Sequence, residues 1–481
     1  MQAVHYRDRN KMRLINLLTL LFITSILSVE AFSLPIREKP NLIIIITDDQ
    51  GYGDVGFNGC TDIPTPNIDR IAYEGVKFTD GYVSYPVCGP SRAGLLTGRY
   101  QDRFGFTTNP TISPNHPEAG IPLEEENIAE VLTKVGYKNA IIGKWHMGSH
   151  PVHHPLNRGF HHFFGFLSGG HNYFPRQYNL NDLSEVKKPY DWYRTKLIHD
   201  RERVDVDADY LTDVLSDASV DFIKKCSKNN DPFFLYVAYN APHNPLQATQ
   251  KYLDRFSHIE NWGRRNYAAM VSAVDDGVGH ILQTLTECGL DDNTLVFFLS
   301  DNGGASNNSS DNGILRDHKG SLFEGGLRVP FALRWSNTIP AGTVYTHPII
   351  SLDIMATITT LAGVEISTER PLDGVNLLPF VTNKNKEAPH DYIFWRDFIR
   401  NGVAVRSGDI KLVDERKRDK LGYAVFNVVE DVSEKINLSE KDLDRNEGLL
   451  EKHTAWKAQL KPTAFPTLGN HKWWLKEEVE E

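Results

Sequence analysis

Cysteine is scarce in this chain. Only Cys60, Cys88, Cys226 and Cys288 occur in 481 residues, and no two of them have the C-x-x-C spacing typical of structural zinc and redox sites. If Cys88 is chemically modified, at most one disulfide can form among the other three. The sequence leaves that pairing open.

An excess of positive charge is also missing. The 62 Asp and Glu residues outnumber the 52 Lys and Arg residues, and the formal net charge is -10. Nucleic-acid binding needs clustered cations that neutralise phosphates, so the charge balance argues against a nucleic-acid partner. An anionic substrate would need a local cationic pocket. The remaining composition, 40% hydrophobic and 24% charged, is that of an ordinary globular protein long enough for one large and one smaller domain.

Long apolar runs and internal repeats are absent after the N-terminus. Basic residues between Arg7 and Arg13 precede an apolar run from Leu14 to Leu27, and small residues follow near Ser33. A membrane span needs roughly 20 apolar residues, so this run predicts a cleaved signal peptide over residues 1–33 and no stable membrane span. We expect an exported protein, periplasmic or extracellular if bacterial and secretory or lysosomal if eukaryotic.

The first strand signal of the mature chain ends in two carboxylates. Leu42–Ile46 is a short, β-branched apolar run typical of a strand buried on both faces of a parallel sheet, and Asp48 and Asp49 follow it. Ligands of open α/β sheets bind at this end of the strands. A solvated turn is the alternative interpretation. Adjacent carboxylates repel each other unless a cation neutralises them, and Ca²⁺ or Mg²⁺ suits such oxygen ligands.

The same arrangement recurs at three later apolar runs. Amphipathic helices are predicted between them, over Asn127–Val135, Tyr210–Lys225 and Tyr267–Glu287. Strands that alternate with helices predict an α/β fold with a large, mostly parallel sheet flanked by helices. The runs and the polar residues after them are Asn139–Ile142 with Lys144 and His146, Phe233–Tyr239 with His243, and Leu295–Leu299 with Asp301 and Asn302.

A smaller unit is predicted at the C-terminus. We expect a large domain over residues 34–380 and a subdomain over 381–481, in which a small antiparallel sheet is covered by a helix from about Asp442 to Leu460. The predicted strands of that sheet are Tyr392–Trp395, Gly402–Arg406, Ile410–Val413 and Tyr423–Asn427.

The stretch Tyr85–Tyr100 carries the most specific chemistry. Cys88 precedes Pro90 and Arg92 in a segment with the pattern of a helix start. A helix N-terminus favours anions through its free N–H groups and dipole, and an arginine adds a bidentate donor. Taken alone, Cys88 is either a thiol nucleophile with a lowered pKa or a buried structural cysteine.

The letters C-x-P-S-R followed by A-x-L-L-T-G-R in this stretch resemble the signature of the type I, formylglycine-dependent sulfatases of the alkaline-phosphatase-like superfamily. The segment His318–Pro330, which contains Lys319, also resembles a sulfatase segment. The resemblance implies that a maturation enzyme oxidises Cys88 to formylglycine and that residues 34–380 form the catalytic domain. Gly89 departs mildly from the pattern, because many relatives carry another small residue there.

The resemblance also implies the roles of the residues at the strand ends. The metal, Ca²⁺ in preference to Mg²⁺, is expected between Asp48, Asp49, Asp301, Asn302 and the oxygen of modified Cys88. Arg92 and Lys144 are expected to hold the formylglycine hydrate, Lys319 and His243 to face the sulfate and the leaving group, and His146 to act as the base.

Six histidines lie between His146 and His162 and raise the alternative of a zinc site. Their spacing matches no compact zinc motif, and the Asp and Asn residues offer harder ligands for a different ion. The segment Pro155–Phe166 is expected to be a linking segment, and His146 alone among these histidines is predicted to be catalytic.

Three segments that combine aromatic with polar or cationic groups are candidates for binding the alcohol part of the substrate: Gly169–Arg176, Asn261–Arg265 and Phe394–Asp397. The alternative, that these aromatics pack and the charges lie on the surface, stays open. The predicted function is a sulfuric ester hydrolase acting on a sulfated carbohydrate, such as a sulfated galactan or glycosaminoglycan. The alternatives are a phosphate or phosphonate ester hydrolase and a catalytically silent sulfoglycan-binding protein. The candidate substrate residues are His171, Asn172, Arg176, Arg264, Trp395 and Arg396.

Overall fold

The computed structural model describes residues 39–398, 400–415 and 422–465. The predicted signal peptide, residues 1–33, lies outside the described residues. Among the described residues, no helix has both the length and the apolar character needed to cross a membrane.

Sixteen strands lie within the described residues. Ten of them form the central sheet in the order β11-β2-β10-β9-β1-β8-β4-β5-β6-β7, and the others form sheets of two and four strands. The strands are β1 Asn41–Thr47, β2 Val76–Phe78, β3 Gly81–Tyr82, β4 Lys138–Lys144, β5 His162–Phe166, β6 Leu197–His199, β7 Glu202–Val204, β8 Phe233–Ala238, β9 Thr294–Ser300, β10 Phe331–Arg334, β11 Thr343–Tyr345, β12 Ile349–Ile350, β13 Ile393–Asp397, β14 Gly402–Ser407, β15 Ile410–Asp414 and β16 Ala424–Asn427.

The middle of the central sheet is parallel. β1 pairs in parallel with β8 and β9, and β4 pairs in parallel with β8 and β5. All seven residues of β1 are buried, because helices cover both faces of the sheet. Leu42 and Ile44 belong to one core layer and Ile43 and Ile45 to the other, as the alternation of side chains along a strand requires. The predicted mostly parallel α/β sheet is confirmed.

The helices divide between the two faces of this sheet. α2, α3 and α8 contribute to the core layer of Leu42 and Ile44, and α1, α4 and α6 to the other. α6 begins five residues before its predicted start because the side chain of Asn261 caps its N-terminus by accepting from the Arg264 N–H. The helices are α1 Pro66–Tyr73, α2 Cys88–Thr97, α3 Ile128–Thr133, α4 Leu211–Asn229, α5 Gln250–Leu253, α6 Trp262–Glu287, α7 Glu324–Leu327, α8 Asp353–Ala362, α9 Leu378–Val381 and α10 Leu443–Lys457.

The predicted linking segment Pro155–Phe166 ends in a strand. β5 pairs in parallel with β4 and antiparallel with β6. A histidine and a glycine dilute its apolar pattern, so its strand signal is weak, and pairing with β4 decides the conformation.

The four-stranded sheet β13-β14-β15-β16 is antiparallel, as predicted, and α10 packs against it. It is joined to the large domain through a buried ionic cluster. Nζ of Lys411 on β15 lies 2.7 Å from Glu324 Oε1 and 3.0 Å from Glu434 Oε1, and all three side chains are fully buried. Glu324 also pairs with Arg328. The proposed boundary at residue 380 stays a prediction.

Candidate active site

The polar clusters that follow the four central strands meet at one edge of the sheet. Asp48 follows β1, Lys144 ends β4, and His243 and Asp301 follow β8 and β9. Since these strands are neighbours in the order β9-β1-β8-β4 and run in parallel, their carboxyl ends lie side by side. All four side chains therefore lie in one region, as the sequence predicted.

Two of the residues after these strands have left-handed backbones. Asp49 has φ 63° and His146 has φ 58°. Successive side chains of an extended strand point to opposite faces, and a left-handed residue interrupts this alternation. Asp48 and Asp49 thus both reach the same site, where they lie with His243. Such backbones are uncommon for residues other than glycine and are concentrated at functional sites.

Cys88 is the first residue of α2, whose ten residues are all buried. The chain enters this helix from the extended residue Val87. Sγ of Cys88 lies 3.7 Å from Asn109 Oδ1 and 4.0 Å from Lys319 Nζ. The thiol is therefore held at a helix N-terminus, beside a cationic side chain.

The departure at Gly89 has a steric explanation. Its backbone N–H donates to Asn109 Oδ1 over 3.0 Å. A Cβ at this position would lie 2.7 Å from the same oxygen, closer than a carbon can approach without a shift. Glycine therefore lets Asn109 pack against the start of α2.

Cations and carboxylates alternate around Cys88. Lys144 Nζ lies 2.5 Å from Asp48 Oδ2, and Lys319 Nζ lies 2.5 Å from Asp49 Oδ1. Buried charges of this kind are stable only when they are paired. The set is completed by Arg92, whose Nε donates to Asp301 Oδ2 over 2.8 Å, and by His243, whose Nε2 lies 3.7 Å from Asp49 Oδ2.

The donor set fits a hard divalent cation. One donor atom from each of Asp48, Cys88 and Asp301 lies within 4.8 Å of the others. Asp48 Oδ1 and Asn302 Oδ1 are buried and have no hydrogen-bond partner among the described residues. Buried polar atoms normally have a partner, and a cation would satisfy both oxygens. An oxygen in place of the Cys88 sulfur would make the set one of oxygens only.

The surrounding charges shift the protonation equilibria of the site. Burial alone would raise the pKa of Asp48, but Lys144 and the other cations outweigh it and lower that pKa. Burial, followed by the charges of Lys144 and Arg92, lowers the pKa of His146 well below its ordinary value. Its imidazole is therefore neutral at physiological pH, and both ring nitrogens are free of hydrogen-bond partners among the described residues.

A cavity of about 630 Å³ opens above these groups. Cys88, His146, His243 and Lys319 line it together with Asp49. The rest of its lining is mostly aromatic and polar: Asn109, Ile112, Gly169, Asn172, Tyr190, Trp192, Tyr193, Arg194, Asn244, Pro245, Ala305 and Asn307.

Of the six residues predicted to bind the alcohol part of the substrate, only Asn172 lines this cavity. His171 is fully buried, and its Nδ1 and Nε2 lie within hydrogen-bond distance of the carbonyls of Asn172 and Thr195. Trp395 is also fully buried and donates from Nε1 to the Val83 carbonyl over 2.8 Å. These two predictions are corrected, because both side chains are packed and bonded inside the fold.

The three predicted arginines also lie away from the cavity lining. Arg264 is held by Asp54 and Asp62, with N–O distances of 2.6 and 2.8 Å. Arg176 lies over the ring of Phe174 and Arg396 over that of Phe398, 4.3 and 4.9 Å from the ring centroids. Each arginine has a partner of its own, and their assignment to the substrate stays a prediction.

Sequence reasoning missed the segment Tyr190–Arg194, which supplies most of the aromatic wall. Its letters Y-D-W-Y-R combine aromatic and cationic groups just as the three selected segments do, so the signal was present. Asn109 was missed as well, and a single asparagine in a loop gave no such signal.

The chain is similar to known sulfatases. The Sulfatase family model matches residues 40–364. N-acetylgalactosamine-6-sulfatase of Mus musculus is 38% identical over 373 residues, 75% of this chain and 69% of that protein. Arylsulfatase A of Bos taurus is 34% identical over 405 residues, 79% and 76% of the two chains. The crystal structure of Ps i-CgsB in complex with k-i-k-neocarrahexaose matches with a TM-score of 0.83 and 39% identity, covering 89% of this chain and 94% of that one.

Proposed function

The chain belongs to the sulfatase family, and on that premise we propose that it hydrolyses the sulfate ester of a sulfated carbohydrate. The observation that carries the proposal is the cluster of paired charges around Cys88 at the floor of a cavity with an aromatic wall. The reaction adds water across the S–O bond and releases an alcohol and sulfate. Export of the enzyme, predicted from residues 1–33, is part of the same proposal.

The residues around Cys88 have separable tasks in this reaction. Formylglycine at position 88 would supply, as its hydrate, an oxygen nucleophile and a second hydroxyl. Lys319 and His243 both line the cavity, so they are placed to hold the sulfate oxygens and to give a proton to the departing alcohol. His146, neutral and free of partners among the described residues, also lines the cavity and is the proposed base. Lys144 and Arg92 fix the carboxylates of Asp48 and Asp301.

We propose Ca²⁺ as the ion that Asp48, Asp49, Asp301, Asn302 and the modified Cys88 would hold. It would neutralise charge on the sulfate as the S–O bond breaks. Because the donors are hard oxygens with no imidazole among them, Ca²⁺ or Mg²⁺ is favoured over zinc. Ca²⁺ is preferred here because its coordination tolerates several protein carboxylates at once.

Removal of Ca²⁺ with EGTA is expected to abolish sulfate release and to lower the unfolding midpoint. A ligand at a hundredfold excess over its Kd stabilises the fold by about 2.7 kcal/mol, so the shift is measurable by thermal denaturation. Added Ca²⁺ should restore both properties at a lower concentration than Mg²⁺ does. The variant Asp48→Asn should show a midpoint insensitive to EGTA. Full activity after complete removal of Ca²⁺ would contradict the assignment.

The aromatic wall is proposed to bind the sugar. Tyr190 is 66% exposed, and its ring centroid lies 5.4 Å from that of Trp192. Exposed rings of this kind stack on the apolar face of a pyranose, and the neighbouring Arg194 can meet a further anionic group. Trp192 and Tyr193 continue the wall toward His243, whose ring centroid lies 6.5 Å from that of Tyr193.

Tyr190→Ala is expected to raise KM for a sulfated oligosaccharide about three- to tenfold, the loss of one stacking contact. For a small arylsulfate, which does not reach the wall, KM should stay near that of the parent enzyme. The assay is sulfate release across a panel of defined sulfated sugars, with matched phosphate esters included. Tyr73→Ala, which removes another exposed tyrosine (58% exposed) from α1, is the control. Equal effects on both substrates would contradict the sugar-binding role, and faster phosphate turnover would contradict the reaction itself.

A further inference from the structure

Two histidines and an aspartate meet at the edge of the central sheet, away from the cavity. His162 begins β5, His199 ends β6, and Asp200 begins the turn to β7. In the antiparallel register of β5 and β6, Phe164 pairs with His199. The turn between β6 and β7 therefore lies beside the start of β5. One donor atom from each of the three residues lies within 4.8 Å of the other two.

This cluster lies toward the amino ends of the strands, while the active site lies at the carboxyl ends. In the β4–β5 register His162 is opposite Ala140, and Phe166 is opposite Lys144 of the active site. Four residues of strand span about 13 Å. The cluster is therefore a separate site on the same sheet.

Backbone contacts fix Asp200 in place. Asp200 has a left-handed backbone, φ 55°, in the turn after β6. Its N–H donates to the Phe163 carbonyl over 2.6 Å, and its Oδ1 accepts from the Phe163 N–H over 3.0 Å. The same oxygen lies 2.9 Å from His162 Nδ1. The carboxylate is thus oriented toward the His162 ring before any ligand arrives.

The two imidazoles are also held. The ring of His162 stacks parallel to Phe222 of α4, with an interplanar angle of 2° and centroids 6.1 Å apart. The ring of His199 meets it edge-on at 5.2 Å. A cavity of about 570 Å³, lined in part by His162, His199 and Phe164, adjoins the cluster and leaves room for an ion and its water.

We propose that His162, His199 and Asp200 form a second metal site, which takes Zn²⁺ and leaves one position open to water. Two imidazoles and one carboxylate are the donor set of known zinc sites, and imidazole distinguishes this cluster from the oxygen ligands around Asp48. The site would tie the β6–β7 turn to β5. Since β6 begins three residues after Arg194, bound zinc would also anchor the strand that follows the aromatic wall.

The test is a titration of the full enzyme, prepared without a histidine tag and kept in excess Ca²⁺, with Zn²⁺ and then with Co²⁺ as a spectroscopic probe. We expect one equivalent of Zn²⁺ to bind and to raise the unfolding midpoint, and Co²⁺ to show the visible bands of a nitrogen and oxygen site. His199→Ala removes an exposed side chain, so the variant should fold. Loss of this ligand is expected to weaken binding at least tenfold. Asp200→Asn should weaken it as well.

His161→Gln is the matched control. His161 lines the same cavity, but its Nδ1 accepts from the Asn139 N–H over 3.1 Å, so it is not one of the three ligands. It should bind Zn²⁺ as the parent enzyme does, and so should Cys88→Ala, whose change lies at the other end of the sheet. The proposal is overturned if His199→Ala still binds one equivalent of Zn²⁺ as tightly as the parent enzyme, or if His161→Gln loses this binding. A thiolate band from Cys226 in the Co²⁺ spectrum would also overturn it.

Discussion

Cys88→Ala is expected to lower sulfate release by more than about 10³-fold, the scale on which loss of a nucleophile acts. The paired charges and the aromatic wall remain in this variant, so substrate binding should survive while the chemistry is lost. Cys88 is 2% exposed and small, and alanine fills its place without a clash. The measurement is kcat for sulfate release, together with the unfolding midpoint, which should change little.

Cys288→Ala is the matched control. Cys288 is half-buried and caps the C-terminal end of α6 through its backbone N–H, which alanine keeps, so activity should stay unchanged. Mass spectrometry of the peptide that contains Cys88 should show the aldehyde in active enzyme and the free thiol in inactive enzyme. Turnover near the parent value in Cys88→Ala, or an active sample with an unmodified thiol, would refute the assigned nucleophile.

Lys411→Met is expected to have the largest effect on stability. The change leaves Glu324 and Glu434 buried side by side without the cation between them. Removing one partner of a buried ionic cluster typically costs about 3–5 kcal/mol. Urea denaturation should show this loss in the free energy of unfolding, and because the cluster joins the small sheet to the large domain, expression at higher temperature should fall too.

The stability lost in Lys411→Met should increase as the pH rises. Burial, opposed by Lys411 and reinforced by Glu324, raises the pKa of Glu434 to about 7. A carboxyl whose folded pKa is raised contributes stability below its unfolded pKa and loses it as the pH rises through the folded value. Without Lys411 the folded pKa rises further, so Lys411→Met should be more destabilised at pH 8 than at pH 5.

Lys435→Met, which removes an exposed lysine close to Glu434 in the chain, should be nearly neutral. The double variant Lys411→Met with Glu434→Gln should recover part of the lost stability, because it removes one charge of each sign. If Lys411→Met loses the same stability at pH 5 and pH 8, or if the double variant recovers none of it, the destabilisation comes from packing and not from charge.

The central strands were predictable because their physical signal is strong. β1 is buried on both faces, so it is apolar without interruption, and the observed bounds differ from the prediction by one residue at each end. The edge strands gave weaker signals. β5 contains a histidine and a glycine, and β11 is only three residues long. Their conformation depends on partners distant in sequence, which local patterns do not record.

The cluster of charged residues around Cys88 was predictable for a related reason. A parallel sheet brings the residues that follow each strand to one edge. The strand pattern of the sequence is therefore enough to place Asp48 and Asp301 together. The aromatic wall comes from a long connection between β5 and β6, and no periodicity fixes which of its side chains face the cavity. His171 and Trp395 are residue types that often bind sugars, but both side chains are buried in the fold. His162 and His199 are 37 positions apart in the sequence, so local spacing could not predict the contact between their rings.

The left-handed backbones of Asp49 and His146 set a limit on how this enzyme can be engineered. A screen that rewards heat resistance alone would favour glycine at His146, where glycine adopts this conformation without strain and no side-chain hydrogen bond among the described residues is lost. It would not favour glycine at Asp49, whose carboxylate pairs with Lys319. A protein with glycine at position 146 would then resist heat but lack the proposed base. A directed-evolution campaign on this scaffold should therefore couple every selection for thermostability to a selection for sulfate release.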